Sequence, residues 1–255
     1  MVFTATILSR SDLGSSLAIR VGRSEGFWSC QPGQFYLLRT GAAWSPYGRR
    51  ALFPTLIDPN ELGFLLAPSN DPGLAWLAAQ PAGTALDLIG PQGRGFMLHE
   101  HRRRILLMAE ASAVAPLFAL IPPALARQAS ITLLLHGRRR ADLLPAAALP
   151  PAVEYYTACD DPLPGQPTTL DDAFVSALNW ADGLYLAGSA EFLRQAKAVV
   201  TEARFAVTSG FAQAVAPVAL PCGVGACMAC LVDSGRGRHR ACVRGPVFDL
   251  GELAL

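Results

Sequence analysis

Residues 222–230 read CGVGACMAC and are followed by a further cysteine, Cys242. The four cysteines have the spacing C-x4-C-x2-C-x11-C, which is the plant-type ferredoxin arrangement for a [2Fe–2S] centre. Four thiolates must converge on two irons, so the chain between them has to turn sharply. We therefore predict that Cys222, Cys227, Cys230 and Cys242 are the ligands of a [2Fe–2S] cluster.

Small residues between these cysteines are typical of a loop that wraps closely around a cluster. Gly223, Gly225 and Ala226 let the backbone turn tightly and aim its N–H groups at the sulfurs. A structural zinc site would more usually have two C-x2-C pairs, and this sequence has one. Zinc, and cysteines that bind no metal, remain as alternatives. Cys30 and Cys159 stand alone and are predicted to be small buried apolar residues.

Two different patterns follow one another along the chain. The first hundred residues are short extended runs separated by turn formers, such as 34–39 and 85–89. Runs of this length and spacing are typical of an antiparallel barrel or sandwich. Farther on, the apolar runs 105–109 and 131–136 alternate with helical segments, of which 191–203 is the clearest. Buried strands alternating with helices predict a parallel α/β domain.

The sequence therefore predicts a multidomain protein of β and α/β class. An antiparallel β-barrel comes first, then a Rossmann-like parallel α/β domain, then a small Cys-rich 2Fe-2S domain. We place the barrel at 1–100, the α/β domain at 101–209 and the cluster domain at 210–255. The last segment is too short for a core of its own and needs something else to hold it.

Composition excludes several classes of protein. With 255 residues, 51% of them hydrophobic and 16% charged, the chain is globular rather than disordered. A formal charge of +1 provides no overall field to attract nucleic acid or anionic lipid, so neither is predicted as a partner. The N-terminus lacks the pattern of a secretory signal, and the most apolar stretch, 105–126, contains Glu110 and three prolines. We expect a cytoplasmic protein without a membrane segment.

The cluster motif and the segment 242–249 after it resemble the C-terminus of the electron-transfer subunit of class B dihydroorotate dehydrogenase. Segment 32–35 resembles a strand entry of that family, 90–96 the end of its barrel, and 115–117 the start of its first α/β helix. The resemblance covers the whole chain. It implies an FAD-binding barrel, an NAD-binding α/β domain and a [2Fe–2S] domain, in the order predicted above.

The resemblance also implies a function and a partner. In this family, electrons from dihydroorotate reach the FMN of a catalytic subunit, cross the cluster to FAD and reduce NAD, as part of pyrimidine biosynthesis. We predict an electron-transfer subunit of such a heteromeric oxidoreductase, with an FMN-containing dihydroorotate dehydrogenase-like subunit as its partner. The sequence has no recognisable nucleophile–base constellation, so no catalytic residue is predicted; the cofactors carry the chemistry.

Two segments that the resemblance implies for flavin binding depart from the family pattern. The family has an Arg-Pro-x-Ser-like segment, whereas this chain keeps Arg50 and has Phe53 at the position of the hydroxyl. The second segment, Gly-Thr or Gly-Ser in the family, is Gly73-Leu74 here. Arg50, Gly73 and Leu74 are therefore the predicted flavin-binding residues.

A third departure concerns NAD. Relatives have a glycine-rich turn after the first α/β strand, because glycine lets the backbone approach a pyrophosphate. Here 109–116 reads AEASAVAP, so the glycines are absent and Glu110 places a carboxylate in the turn. Near the nicotinamide, the family's Cys-Gly-Pro is Ala187-Gly188-Ser189. We expect NAD binding to be weakened. The alternatives are an NAD(P)H-dependent flavin and iron–sulfur reductase component, or a cluster-only redox subunit that has lost nucleotide binding.

Overall fold

The computed structural model describes residues 2–22, 29–41, 45–204 and 209–255. The first seven strands are β1 (Val2–Leu13), β2 (Ser16–Gly22), β3 (Phe35–Arg39), β4 (Arg49–Leu52), β5 (Pro54–Ile57), β6 (Glu61–Leu66) and β7 (Ala85–Gln92). They form one sheet in the order β4-β3-β7-β1-β2-β6-β5. Every pairing in this sheet between described residues is antiparallel.

The edge strands of this sheet are consecutive in the chain, and this bends the sheet into a barrel. β4 and β5 lie at opposite ends of the strand order, yet only Phe53 separates them in sequence. The sheet must curl to bring its two edges together. Its interior is filled by inward-facing side chains such as Ile7, Val21, Tyr36 and Leu88, each at most 1% exposed. The predicted antiparallel barrel is confirmed.

The rest of the chain alternates strands and helices. Its strands are β8 (Arg104–Glu110), β9 (Ser130–Gly137), β10 (Val153–Cys159), β11 (Gly183–Ala187), β12 (Ala212–Val215), β13 (Leu231–Ser234), β14 (Gly237–Arg240) and β15 (Val247–Asp249). The α-helices are α1 (Pro72–Ala79) in the barrel, α2 (Ala115–Phe118), α3 (Ile121–Ala126), α4 (Asp171–Trp180), α5 (Ala190–Arg204) and α6 (Ala241–Arg244). Short 3₁₀ turns lie at Ala111–Ala113, Arg140–Asp142 and Ala146–Ala148.

The second sheet has the order β10-β9-β8-β11-β12-β15. Its first five strands are parallel, and β15 runs antiparallel to β12. β8 and β11 lie at the centre and are almost entirely buried, as expected of strands with helices on both faces. The chain leaves β8 for β9 on one side and returns to β11 on the other, so the strand order reverses between β8 and β11. The predicted Rossmann-like parallel domain is confirmed.

The helices agree with the sequence pattern except after β8, where the chain makes two short helices instead of one. Pro116 lies in the first turn of α2 and Pro122 in the first turn of α3, and proline can begin a helix but has no N–H to continue one. α4 begins at Asp171, and α5 extends one residue beyond each end of the predicted helix. Among the described helices, none has the length and apolar character needed to cross a bilayer.

The C-terminal segment is joined to the second sheet as well as forming its own small unit. β13 and β14 make a hairpin that leads into α6, whereas β12 and β15 from the same segment pair with each other in the second sheet. Cys230, Cys242 and Phe248 belong to the core that also holds β8 and β11 side chains. The large core therefore holds this short segment. The boundaries at 100 and 209 stay predictions.

Candidate functional site

The loop 222–230 has left-handed backbone conformations at three positions between its first and last cysteines. Gly223 has φ of 69°, Gly225 has φ of 76° and Met228 has φ of 60°. A Cβ on Gly223 would lie 2.9 Å from Leu37 Cδ1, and one on Gly225 would lie 2.9 Å from Val243 Cγ2. Both glycines are therefore required for the turn and for the close packing of the loop.

The four predicted ligands lie as two pairs. The sulfurs of Cys230 and Cys242 are 3.3 Å apart and buried, and Cys222 lies beside the exposed Cys227. All four are free thiols. Within the described ranges, no three His, Cys, Asp or Glu side chains converge on a point that could hold one metal ion. Two cysteine pairs are the donor set that a two-iron cluster uses, with two thiolates on each iron, so these residues fit a [2Fe–2S] group.

The backbone of the loop favours the thiolate form of one ligand. Hydrogen bonding from the N–H of Cys227, aided by other N–H groups of the loop, lowers the pKa of Cys222 to about 6. A thiolate is the form that binds metal. Burial raises the pKa of Cys242 to about 12, and the neighbouring Cys230 adds to this effect. Metal binding at Cys242 would therefore displace a proton from its thiol.

The predicted flavin-binding residues are brought together by a residue that the sequence analysis missed, Asp71. Its Oδ1 accepts hydrogen bonds from the backbone N–H groups of Gly73 (2.8 Å) and Leu74 (2.9 Å), which caps α1. The same carboxylate forms an ion pair with Arg50, with Nε 2.9 Å from Oδ1 and Nη2 3.2 Å from Oδ2. The signal for the cap was present in the sequence, because Asp followed by Pro72 is typical of a helix N-terminus.

These donors are those that would suit a phosphate, namely a guanidinium and two N–H groups at a helix N-terminus. Gly73 is packed tightly against them, since a Cβ there would lie 2.5 Å from both Arg50 and the hydroxyl of Thr40. The Thr40 hydroxyl is buried and has no hydrogen-bond partner among the described residues. Arg50, Gly73 and Leu74 thus converge on an anion, and in this structure the anion is the Asp71 side chain.

A cavity of about 430 Å³ lies between the barrel and the second sheet, and we call it the inter-sheet cavity. Its barrel side includes Ala51, Phe53 and Leu74, and its other side includes Ala113 and Val215. The walls are mostly apolar, which is typical of sites for planar cofactor rings. Phe53 does occupy this wall, where the family pattern implies a hydroxyl. The cavity fits the ring of a flavin.

A second space, which we call the carboxyl-edge cleft, opens at the carboxyl ends of β8 and β9 and measures about 900 Å³. Glu110, Ser112 and Ser189 are among its lining residues. Glu110 accepts hydrogen bonds from the backbone N–H and the hydroxyl of Ser189, at the start of α5. In sheets of this kind the pyrophosphate of a dinucleotide lies at the turn after the first strand, and Glu110 is in that turn here. The residues at this edge therefore do not fit the pyrophosphate of NAD.

Solved structures support the same two-sheet architecture. The NADH-dependent reduced ferredoxin-NADP oxidoreductase superposes with a TM-score of 0.80 at 18% identity, over 98% of this chain and 89% of that one. A cytochrome P450 reductase from Amycolatopsis superposes with a TM-score of 0.70 at 18% identity, over 84% of this chain and 69% of that one. The chain thus has a ferredoxin-reductase-like fold, with a four-cysteine loop that is a candidate iron–sulfur centre.

The chain belongs to the family of dihydroorotate dehydrogenase B electron transfer subunits. It is 30% identical over 232 residues to the dihydroorotate dehydrogenase B (NAD(+)) electron transfer subunit of Shouchella clausii, covering 88% of this chain and 87% of that protein. The protein of the same name from Bacillus caldolyticus is 28% identical over 235 residues, with the same coverage. Residues 219–254 match the iron–sulfur cluster binding domain of dihydroorotate dehydrogenase B.

Proposed function

We propose that this chain carries electrons between a partner dehydrogenase subunit that contains FMN and a flavin bound in its own inter-sheet cavity. Cys222, Cys227, Cys230 and Cys242 would hold a [2Fe–2S] cluster, which supplies one-electron transfer when bound. The observation that carries the proposal is the packing of the cysteine loop against the barrel strand next to that cavity. The substrate of the partner would be dihydroorotate, as in the family.

The path from the cysteine loop to the inter-sheet cavity is short. Gly223 packs against Leu37 of β3. Leu37 pairs across the sheet with Ala51 of β4, and Ala51 lines the cavity. Side chains of a cross-strand pair lie on one face with Cβ atoms about 5 Å apart. Only the pair Leu37 and Ala51 thus lies between the proposed cluster and the proposed flavin. Both side chains are apolar and belong to the same core, so they exclude water from the space between the cofactors.

The other side of the loop is suited to a partner subunit. Cys227 is exposed, and three large apolar side chains near it are exposed as well: Val224 at 65%, Met228 at 51% and Val243 at 43%. Exposed apolar residues grouped on one surface commonly mark a protein–protein interface. We propose that this surface contacts the FMN-containing subunit, so that the cluster lies between the two flavins.

The flavin would be FAD, with its ring in the inter-sheet cavity and its phosphates toward Arg50 and the N–H groups of Gly73 and Leu74. Asp71 now accepts from all three of these donors, so the Asp71 side chain has to turn away for a phosphate to reach them. Arg50 keeps its place in either case, because its Nη1 also donates to the carbonyl of Tyr47.

The test is anaerobic purification of the chain with its partner, followed by quantification of iron, sulfide and flavin and by electron paramagnetic resonance of the reduced protein. We expect about two irons and two sulfides per chain, together with FAD. Cys227→Ser should lose the iron, and Cys30→Ser, outside the loop, should keep it. Zinc in place of iron, or equal iron content in the two variants, would refute the cluster assignment. Iron without flavin would support the cluster-only alternative.

A further inference from the structure

The carboxyl-edge cleft lies where open α/β sheets bind dinucleotides. Ligands of such sheets bind beyond the carboxyl ends of the strands, at the point where the strand order reverses. In the second sheet this point lies between β8 and β11, which are neighbours although α2, α3, β9, β10 and α4 intervene in sequence. Glu110 is the last residue of β8, and Ser189 follows β11 by two residues. Their contact therefore spans the reversal point itself.

The Glu110 carboxylate engages the N-terminus of α5 with both of its oxygens. Oε2 accepts from the backbone N–H of Ser189 at 2.5 Å, and Oε1 accepts from its hydroxyl at 3.1 Å. The Ser189 Oγ in turn accepts from the N–H of Phe192 at 3.2 Å, as a helix cap does. A Cβ on Gly188 would lie 2.4 Å from the Phe192 ring and 3.1 Å from Glu110 Oε2. The backbone at Gly188 thus passes close to the carboxylate, and the contact between Glu110 and Ser189 is open to solvent.

The cations of the cleft are mostly engaged elsewhere. His136 faces Asp160 at 3.3 Å, and Arg139 pairs with Asp142 at 2.8 Å. Arg138 is the remaining cation that lines the cleft. Within the described ranges, no cationic side chain lies within 4.0 Å of the Glu110 carboxylate. The negative charge of Glu110 therefore meets any incoming phosphate directly, at the positive end of α5.

We propose that Glu110 determines which electron acceptor binds in this cleft. Its carboxylate lies in the turn where sheets of this kind bind a pyrophosphate, and it excludes ligands that carry one. The inference rests on the proposed function and refines it, because it makes the electron acceptor at this cleft a molecule that carries no pyrophosphate. The pyrophosphate of a dinucleotide in this turn would approach a like charge, which the two hydrogen bonds from Ser189 hold in place. This repulsion reduces the affinity of a dinucleotide by about tenfold or more.

The experiment measures NAD⁺ binding by calorimetric titration of the cluster-loaded protein. We expect the wild-type protein to bind weakly, and Glu110→Ala to bind at least about tenfold more tightly, because the substitution frees the Ser189 N–H and removes the charge. Glu110→Gln keeps an oxygen acceptor for Ser189 and should show a smaller gain. The matched control is Glu191→Gln, which removes a charge from the first turn of the same helix without touching the Ser189 donors; it should bind as weakly as the wild type.

Two outcomes would overturn the inference: tight NAD⁺ binding by the wild-type protein that Glu110→Ala does not improve, or equal gains in Glu110→Gln and Glu191→Gln. Iron content and the spectrum of the reduced cluster are measured on the same samples. A wild-type protein that contains no iron would refute the proposed function. If the Glu110 variants contain as much iron as the wild type but bind NAD⁺ no more tightly, only the role of Glu110 is refuted. Should Glu110→Ala unfold, Glu110→Gln still tests the charge.

Discussion

The guanidinium of Arg50 and the carboxylate of Asp71 face each other in a two-point ion pair, with N–O distances of 2.9 and 3.2 Å. The same carboxylate caps α1 through the N–H groups of Gly73 and Leu74. One side chain therefore fixes β4 relative to the helix and occupies the donors proposed for a flavin phosphate.

Replacement of Asp71 should separate these two roles. Asp71→Ala removes the cap and the ion pair, and we expect it to lower the free energy of unfolding by about 1–2 kcal/mol. Asp71→Asn keeps a good capping residue and loses only the charge, so its effect should be smaller. Urea unfolding of both variants tests this. Equal stability of Asp71→Ala and wild type would contradict it.

Acid should weaken the fold in part through this ion pair. Hydrogen bonding from Arg50 holds the pKa of Asp71 below its usual value, and Arg139 does the same for the pKa of Asp142. A carboxyl whose pKa is lower in the folded state stabilises above its unfolded pKa and loses that contribution as the pH falls. We expect the free energy of unfolding to decrease from about pH 4 downward.

Urea titrations between about pH 6 and pH 3 measure this dependence. Asp71→Asn lacks one of the two carboxyls and should have a shallower decrease over the same range. A decrease of the same size in the variant and the wild type would show that Asp71 takes no part in it.

Gly223 should control cluster assembly through its backbone. Its φ of 69° is unfavourable for other residues, and a Cβ would lie 2.9 Å from Leu37 Cδ1. We expect Gly223→Ala to bind substantially less iron per chain and to lower the melting temperature. Gly235→Ala is the matched control, because a Cβ there would contact nothing within 4 Å. If both variants assemble the cluster equally well, the loop does not need its glycine.

Filling the inter-sheet cavity should remove the flavin and leave the cluster. Ala113 lines this cavity on the side of the second sheet, away from the cysteine loop. Ala113→Trp would put a large side chain into a space of about 430 Å³, so we expect loss of flavin with unchanged iron. Ala147→Trp, at an exposed position, should keep both. Flavin and iron are quantified in both variants. Flavin retained in Ala113→Trp would show that the flavin ring does not lie in the inter-sheet cavity.

Local sequence determined much of this protein. The cysteine spacing, the order of barrel and α/β sheet, and the helix predicted at 191–203 all depend on residues close together in the chain. The structure has the sheets as predicted and this helix, α5, within one residue at each end. The burial of Cys159 was predicted in the same way, whereas Cys30, predicted to be buried, is only half-buried. Spacing and periodicity record local backbone preferences, which explains why these features can be read from the chain.

Tertiary structure alone decided which residues meet. Glu110 and Ser189 are 79 residues apart, and they touch because β8 and β11 pair in parallel with their carboxyl ends at one edge. Arg50 and Asp71 meet because the barrel brings β4 beside the start of α1. Such contacts depend on strand order and register over long sequence separations, for which a single sequence carries no local signal. The sequence alone shows that Glu110 places a carboxylate in the turn after β8. Only the fold shows that this carboxylate accepts hydrogen bonds from Ser189.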